Sequence, residues 1–251
     1  MTETMHSLLV VDAEGFSRHR DADLPGLHTE IRSAVAAACE RSGLGHTWQT
    51  APFLQSTGDG VLAVLPLEAI ESLISPFPRH LQDALAEAAP RLRAQGQQLR
   101  LRIALHYGLV DTQDPVTAGI STATNDVSRL LDCDPLRAAL RDSDPDVTFA
   151  AVIISAETFE TYVSGGRVRL RPSQFTAVRA QVKQFDRLAY LYVPVPSIRD
   201  PRHGQEEPDL PLAGQPAPGG GISFGSVSVS GDQAQNAIGN QVHGDLRQTR
   251  P

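Results

Sequence analysis

Two aspartates have the side chains and the local setting to bind a divalent cation. Asp12 directly follows the apolar run Leu8–Val11, and Asp59 lies in the Gly- and Ser-rich segment Ser56–Gly60. Two carboxylates that share one side of a site repel each other unless a cation bridges them, and their hard oxygen atoms suit Mg²⁺ or Mn²⁺. Such a metal site commonly holds a nucleoside triphosphate. The alternative is that each aspartate only forms a turn or caps a helix.

An amide and a guanidinium form the second chemical pair. Asn125 and Arg129 are four residues apart in a segment with helical patterning, so they share one face of the predicted helix. An amide can bind a ribose hydroxyl, and the planar guanidinium fork matches phosphate oxygens. A solvated helix face or an N-cap region is the alternative interpretation.

Strand-like and helix-like segments alternate through residues 1–198 and would position these side chains. Alternating or continuous apolar patterns predict strands, and apolar residues at helical spacing predict helices. The predicted strands are 7–11, 46–54, 61–65, 99–110, 148–154, 168–170 and 189–193, and the predicted helices are 24–41, a proline-broken 68–95, 122–141 and a short helix after Ser155. The second and third strands flank the turn that contains Asp59, which predicts a hairpin. The order predicts an α+β fold with a ferredoxin-like βαββαβ core.

Four runs of sequence, in this order and spacing, resemble the class III nucleotidyl cyclase catalytic domain. They are LLVVDAEGFS at 8–17, STGDGVLAVLP at 56–66, LRIALHYGLV at 101–110 and TNDVSRL at 124–130, followed by a Val182-Lys183 step before a final strand pair. The resemblance covers nearly all of residues 1–198. It implies the fold of that family and a metal-dependent conversion of a nucleoside triphosphate to its 3′,5′-cyclic monophosphate and pyrophosphate.

The resemblance also implies a role for each matching residue. Asp12 and Asp59 would bind two Mg²⁺ or Mn²⁺ ions, Asn125 would orient the ribose, and Arg129 would stabilise charge at the α-phosphate. In that family the aspartates come from one subunit and the Asn/Arg pair from the other, so a head-to-tail homodimer is implied. The implied substrate-binding positions are Ala13, Glu14, Gly15, Phe16, Ser17, Gln55 and Lys183.

The base-reading positions depart from the family pattern. Gln55 stands where adenylate-selective members usually have lysine and guanylate-selective members usually have glutamate, and Ala118 stands at the other base-reading position. Glutamine both donates and accepts hydrogen bonds, whereas alanine does neither, so neither base is indicated. Lys183, the only lysine, falls near the family's phosphate-binding lysine within VKQFD. A structural strand lysine and codon bias remain alternatives for it.

Composition limits the partners and the compartment. The net charge of −7 argues against a general nucleic-acid binder, since phosphate neutralisation needs a clustered basic surface. No apolar run is long enough for a membrane helix, and no basic n-region precedes the first apolar run, so we expect a cytoplasmic protein without a membrane segment. The widely spaced Cys39 and Cys133 predict buried thiols rather than a disulfide framework or a cysteine metal cluster.

The C-terminal quarter has a different composition. Residues 199–221 are rich in Gly and Pro and predict a flexible linker. Residues 222–251 alternate small or apolar with polar residues between Gly-Asp and Gly-Asn pairs, a β-like pattern similar to the amyloid-signalling motifs of bacterial conflict-system proteins. A disordered polar tail is the alternative. A β-like tail would recruit a protein partner. The resulting alternative function is a cyclase-like domain that binds nucleotide without turnover and signals through this tail.

Overall fold

Seven strands form one sheet in the computed structural model, which describes residues 3–114 and 116–199. The strands are β1 (Thr4–Ala13), β2 (Phe53–Ser56), β3 (Gly60–Pro66), β4 (Leu101–Val110), β5 (Ala150–Ser155), β6 (Thr176–Val182) and β7 (Phe185–Tyr192). Their order across the sheet is β2-β3-β1-β4-β5-β7-β6. Among these described strands, β4 and β5 pair in parallel, and each other neighbouring pair is antiparallel.

Helices cover both faces of this sheet. They are α1 (Leu24–Arg41), α2 (Gly45–Gln49), α3 (Ile70–Ile74), α4 (Phe77–Ala94), α5 (Thr122–Leu131), α6 (Asp134–Arg141) and α7 (Ala156–Thr158), with short 3₁₀ turns at Phe16–Arg18, Leu67–Ala69 and Pro172–Gln174 and a π-helical turn at Phe159–Ser164. The four antiparallel strands β2-β3-β1-β4, with α1 and α4 as the two intervening helices, form the predicted ferredoxin-like core.

Alternation along β1 decides which face carries each side chain. Leu9 and Val11 pack in the core layer that contains α1 and α4, whereas Leu8 and Val10 pack in the layer that contains α5 and α6. Because successive side chains on a strand point to opposite faces, Asp12 continues the second set. The first candidate metal ligand therefore lies on the α5 and α6 side of the sheet, at the C-terminal end of β1.

The structure confirms the predicted α+β fold and corrects several element bounds. Helix α1 has the predicted bounds, and the predicted hairpin exists as β2 and β3. The strand predicted at 46–54 is wrong over its first part, because 45–49 is helical and buries Trp48 in the core. The helix predicted at 122–141 is two helices, since Pro135 begins a new one after Cys133. The strand predicted at 168–170 is an irregular segment, and the edge strand is β6 instead.

Two predictions fall largely beyond the described residues. The linker predicted at 199–221 lies outside them except for Arg199, and the tail predicted at 222–251 lies wholly outside them. Within the described part of the chain, every helix is too short or too polar to cross a bilayer.

A buried glutamine joins α4 to the start of β5, and its loss should destabilise the fold. The Gln82 amide donates to the carbonyl of Val147 at 2.8 Å, and its oxygen accepts from the N–H groups of Phe149 and Ala150 at 2.8 and 3.0 Å. Gln82→Leu keeps the shape of the side chain but leaves buried backbone groups without partners. We expect a loss of about 2–4 kcal/mol in the free energy of unfolding.

Urea denaturation followed by circular dichroism would measure this loss. Gln95→Leu, at an exposed position just after α4, is the matched control and should change stability by less than about 0.5 kcal/mol. Equal stability of the two variants would contradict the bridging role of Gln82.

Candidate functional site

The two predicted metal aspartates meet at one end of the sheet. Asp12 closes β1, and its Cα partners are Gly60 on β3 and Arg102 on β4. Asp59 lies in the turn that joins β2 to β3, and its carbonyl accepts from the N–H of Ala13 at 2.9 Å. This backbone bond ties the hairpin turn to the end of β1 and brings the two carboxylates together.

Gly60 makes this close approach possible. A Cβ atom at this position would lie 2.0 Å from the carbonyl oxygen of Val11, a contact that real structures essentially never contain, and 3.0 Å from the Cα of Asp12. Any other residue would push the hairpin away from β1. The glycine after Asp59 therefore sets the distance between the two aspartates.

Arg102 is part of this site, and no sequence motif pointed to it. Its guanidinium forms an ion pair with the Asp12 carboxylate, and the two side chains are only 14% and 11% exposed. The Nε atom of Arg102 is buried and has no hydrogen-bond partner among the described residues. In the sequence, Arg102 stands between two apolar residues, Leu101 and Ile103, which are buried on the other face of β4. This alternation is the sequence pattern that could have indicated which face Arg102 occupies. Its pairing with Asp12 depends on the strand register, which the sequence alone does not give.

The Asp12 carboxyl is held in an unfavourable environment for its charge. Burial raises its pKa to about 6, Arg102 opposes this rise, and Asp59 adds to it. A bound divalent cation would offset both the burial and the repulsion between the carboxylates, so the pair fits Mg²⁺ or Mn²⁺. Within the described part of the chain, no group of three or more His, Cys, Asp or Glu side chains is arranged to hold a metal. A cation at this pair would need further ligands from water or from a bound molecule.

The segment Ala13–Ser17, predicted to wrap phosphates, follows β1 directly at this end of the sheet. The N–H of Glu14 donates to the carbonyl of Arg100 at 2.9 Å, so this amide and that of Ala13 are already engaged within the protein. Gly15 has a φ of +66°, which favours glycine, and the short helix Phe16–Arg18 begins there. The amides from Gly15 to Ser17 are consequently the part of this loop best suited to an anion.

Asn125 and Arg129 lie on α5, on the same face of the sheet as Asp12. The helix starts with a capping box, in which the Ser121 hydroxyl accepts from the N–H of Thr124 at 3.1 Å. Asn125 is exposed and Arg129 is partly exposed, so both can contact another molecule. The chain runs from the far end of β4 into α5, which places Asn125 near the end of the sheet opposite Asp12.

Lys183 occupies the tight turn between β6 and β7. It is exposed and has a φ of +54°, a left-handed conformation that is uncommon for a lysine. Strand register places this turn about eight residues beyond the level of Asp12 and Arg102, or roughly 25 Å at about 3.3 Å per residue. The turn also lies at the far edge of the sheet from β2. One chain therefore does not bring Lys183 together with the aspartates.

The two predicted base-reading positions lie on parts of the chain that touch each other. Gln55 is exposed on β2, and Ala118 is in the loop between β4 and α5. Gly119 packs closely on β2, since a Cβ atom there would lie 2.7 Å from the ring of Phe53. The loop that carries Ala118 thus crosses the strand that carries Gln55.

Comparison with known proteins gives a match of fold. Neither a protein-family model nor a curated protein sequence matches the chain. Among solved structures, the guanylyl cyclase Cya2 matches with a TM-score of 0.50 and 17% identity, over 80% of this chain and 95% of that one. An adenylate/guanylate cyclase/hydrolase from Silicibacter pomeroyi matches with a TM-score of 0.52 and 18% identity, over 77% and 99% of the two chains.

The chain has the fold of a nucleotidyl cyclase catalytic domain. The likeness at these identities concerns the fold, and it confirms that part of the sequence-based prediction. In this cyclase fold, residues 12–17, Asp59 and Arg102 form one cluster. Asn125 lies on the same face but near the opposite end of the sheet, Arg129 is one turn further along α5, and Lys183 is in the β6–β7 turn at the far edge.

His106, which lies in the run LRIALHYGLV, is half-buried and contacts the end of β5. Its Nδ1 atom lies 2.8 Å from the hydroxyl of Ser155, and burial lowers its pKa. Because Ser155 ends β5 and is the N-cap residue of α7, this hydrogen bond links β4 to the junction between β5 and α7.

Removing the charge of Asp12 should stabilise the metal-free protein at high pH. Because the pKa of this carboxyl is raised from 3.8 to about 6 on folding, the group favours the folded state most at pH below about 4, and this contribution is lost as pH rises through 6. The Asn side chain of Asp12→Asn stays neutral at every pH. At pH 8 the free energy of unfolding of this variant should therefore exceed that of the wild type by about 1–2 kcal/mol, after allowance for solvent screening.

Thermal and urea unfolding in the presence of a chelator, at pH 4.5 and pH 8, would test this expectation. The gain should shrink towards the lower pH. Asp83→Asn, in an exposed ion pair with Arg79 on α4, is the matched control and should show no gain at pH 8. A gain from Asp12→Asn that is equal at both pH values would contradict the assignment.

Proposed function

We propose that this protein is a metal-dependent nucleotidyl cyclase that converts a nucleoside triphosphate to a 3′,5′-cyclic nucleotide and pyrophosphate. The observation that carries the proposal is the cluster of Asp12, Asp59 and Arg102 at one end of a cyclase-type sheet. Two acidic side chains and a guanidinium, partly removed from water, match a substrate that is bound through a cation and through its phosphates.

The cation-binding half of the site would work as follows. Asp12 and Asp59 would hold two Mg²⁺ or Mn²⁺ ions, which would supply charge for the triphosphate and would activate the ribose 3′-hydroxyl. Arg102 lies beside Asp12 and can donate to phosphate oxygens in a planar, bidentate manner. The amides from Gly15 to Ser17 would contact the same phosphates.

The reaction is an in-line displacement at the α-phosphorus. The 3′-oxygen forms a bond to phosphorus, the bond from phosphorus to the bridging oxygen of the β-phosphate breaks, and pyrophosphate leaves with that oxygen. The 3′-hydroxyl releases one proton in the process. Asn125 would hold the ribose in the conformation that aligns the attack, and Arg129 would stabilise the charge that develops at the α-phosphate. Lys183 would contact the phosphates from the same subunit as Arg129.

The positions of these residues support a homodimer. Because Lys183 and Asn125 lie towards the end of the sheet opposite the aspartates, two chains in head-to-tail orientation would each complete the site of the other. Exposed large apolar side chains suit such an interface, and several occur towards that opposite end or on the edge hairpin: Met5, Leu109, Val116, Ile120 and Leu188. We propose that the dimer has two equivalent sites.

The proposal also covers the cellular setting. A nucleoside triphosphate is a cytoplasmic metabolite, and a cyclic nucleotide is suited to intracellular signalling, so we place the protein in the cytoplasm. Residues 222–251 are proposed to recruit a protein partner, on the basis of their β-like sequence pattern.

Incubation of the purified protein with ATP, GTP, CTP and UTP separately, each with Mn²⁺, would test the function. Mass spectrometry should detect one or more cyclic monophosphates together with an equal amount of pyrophosphate. Omission of Mn²⁺ with added chelator should abolish the product. If every nucleotide binds but none is converted, the activity is contradicted and the nucleotide-sensing alternative is supported.

A further inference from the structure

A buried arginine contacts the segment that follows β1. The side chain of Arg100, the residue before β4, is only 5% exposed. Its guanidinium donates to the carbonyls of Thr148 and Leu140 at 2.9 and 2.6 Å, and to the hydroxyl of Ser143 at 2.5 Å. These bonds join the start of β4 to the end of α6 and to the segment that leads into β5. Arg100 therefore has a fixed position in the protein interior.

A fourth bond connects Arg100 to the proposed phosphate-binding segment. The Nη1 atom donates to the carboxylate of Glu14 at 2.9 Å, and the Glu14 side chain is 32% exposed. The main chains of the same two residues also pair, since the N–H of Glu14 donates to the carbonyl of Arg100 at 2.9 Å. Burial lowers the pKa of the guanidinium, and the charge of Glu14 opposes this shift. Glu14 is thus held through both its backbone and its side chain.

The amides proposed to bind phosphates follow Glu14 directly. Gly15 has a left-handed φ of +66°, and Phe16 on its other side packs against the core. Glycine has more backbone freedom than any other residue, so Gly15 does not fix the direction of the chain by itself. Its two anchored neighbours do. The conformation of Gly15–Ser17 therefore depends on the contact between Glu14 and Arg100.

We propose that Arg100 is a positioning residue for nucleotide turnover, and that it acts through Glu14 to hold the amides of Gly15–Ser17 in the conformation that binds phosphates. This role rests on the proposed function, in which those amides contact the triphosphate. The carboxylate of Glu14 contacts Arg100, so we assign it the anchoring of this segment rather than a bond to the substrate. A segment that is already ordered binds its ligand more tightly, because no ordering entropy is lost on association.

Two substitutions at Glu14 would separate the anchoring bond from the charge. Glu14→Gln and Glu14→Ala both remove the negative charge, but only glutamine keeps a side-chain oxygen that can accept from Arg100. We expect the KM of Glu14→Ala for the converted nucleoside triphosphate, measured with Mn²⁺, to be about tenfold above that of Glu14→Gln. The kcat values of the two variants should agree within about threefold, because the amides bind phosphates in the ground state and in the transition state alike.

A binding measurement gives a readout that does not require turnover. The probes are the α,β-methylene analogues of ATP and GTP, which cannot release pyrophosphate. Isothermal titration calorimetry of the full-length protein with Mn²⁺ should show the same difference of about tenfold in Kd between the two Glu14 variants. Glu87→Ala, which removes an exposed carboxylate paired with Arg41, is the matched control and should keep the wild-type KM and Kd. Circular dichroism would verify the fold of each variant.

The same comparison in an Arg100→Lys background would show whether the effect passes through Arg100. Lysine keeps the positive charge but lacks the planar fork that reaches four partners. Glu14→Ala and Glu14→Gln should then differ by less than about twofold in Kd. If Arg100→Lys does not fold, the comparison of the two Glu14 variants in the wild-type background decides the question by itself.

The possible results distinguish the positioning role from the proposed function. Equal KM and Kd for the two Glu14 variants, or an undiminished difference in the Arg100→Lys background, would overturn the positioning role even if cyclic product forms. The expected difference in Kd without any cyclic product would support the positioning role and contradict the cyclase activity. A wild-type protein that neither binds the analogues nor forms product would contradict both.

Discussion

Asp59→Asn is expected to lower the rate of cyclic nucleotide formation at least about a thousandfold while leaving the fold intact. The substitution keeps the size of the side chain, and Asn is well tolerated in turns, so the hairpin between β2 and β3 should form normally. The backbone bond from Ala13 to the carbonyl of residue 59 does not depend on the side chain. The loss would therefore report the missing negative charge rather than a displaced turn.

The rate should be measured with Mn²⁺ across a range of metal concentrations, with mass-spectrometric detection of the product. Asp83→Asn, which removes an exposed carboxylate on α4, is the control and should retain full activity. Circular dichroism and the melting temperature would verify folding. Turnover within about threefold of the wild type would show that Asp59 binds no catalytic metal.

Mixing two inactive variants should restore activity if the site is shared between chains. Arg129→Ala is expected to lose about a hundredfold or more on its own, because it removes the cation proposed to stabilise the α-phosphate. In a mixed dimer of Asp59→Asn and Arg129→Ala chains, one site receives Asp59 from one chain and Arg129 from the other. With random pairing of equal amounts, about a quarter of all sites are intact, so we expect roughly a quarter of the wild-type rate.

The same experiment contains its own control. Asp12→Asn and Asp59→Asn both alter the aspartate half of the site, and a mixture of these two variants should remain inactive. Co-expression, or mixing followed by subunit exchange, would produce the mixed dimers. If the mixture of Asp59→Asn and Arg129→Ala shows only the average of the two separate rates, the site lies within one chain and the head-to-tail dimer is wrong.

The parts of the fold that depend on local pattern could be predicted from the sequence. Helix α1 has apolar residues at helical spacing and Pro25 in its first turn, and its predicted bounds match the structure. The hairpin that carries Asp59 follows from two apolar runs around a Gly-Asp-Gly turn. The position of Asp12 after a buried strand was equally visible.

Other features depend on contacts that a sequence pattern does not encode. The segment around Trp48 has residues that favour strands, but packing of the indole in the core stabilises a helical turn. The ion pair between Arg102 and Asp12 requires the register of β1 against β4. Arg18, Arg102, Arg137 and Arg199 line one cleft although they are spread from position 18 to position 199, so their proximity arises only in the folded chain.

The placement of Lys183 and the aspartates at opposite ends of the sheet affects how the catalytic rate depends on the concentration of the protein. If each chain supplies only half of a site, unpaired chains in dilute solution have no catalytic activity. The rate of product formation then rises with the square of the chain concentration until most chains are paired. A tenfold increase in local concentration would then raise output about a hundredfold. Such a protein would be activated when many copies gather at one place, because a higher local concentration raises the fraction of paired chains without any change in the fold.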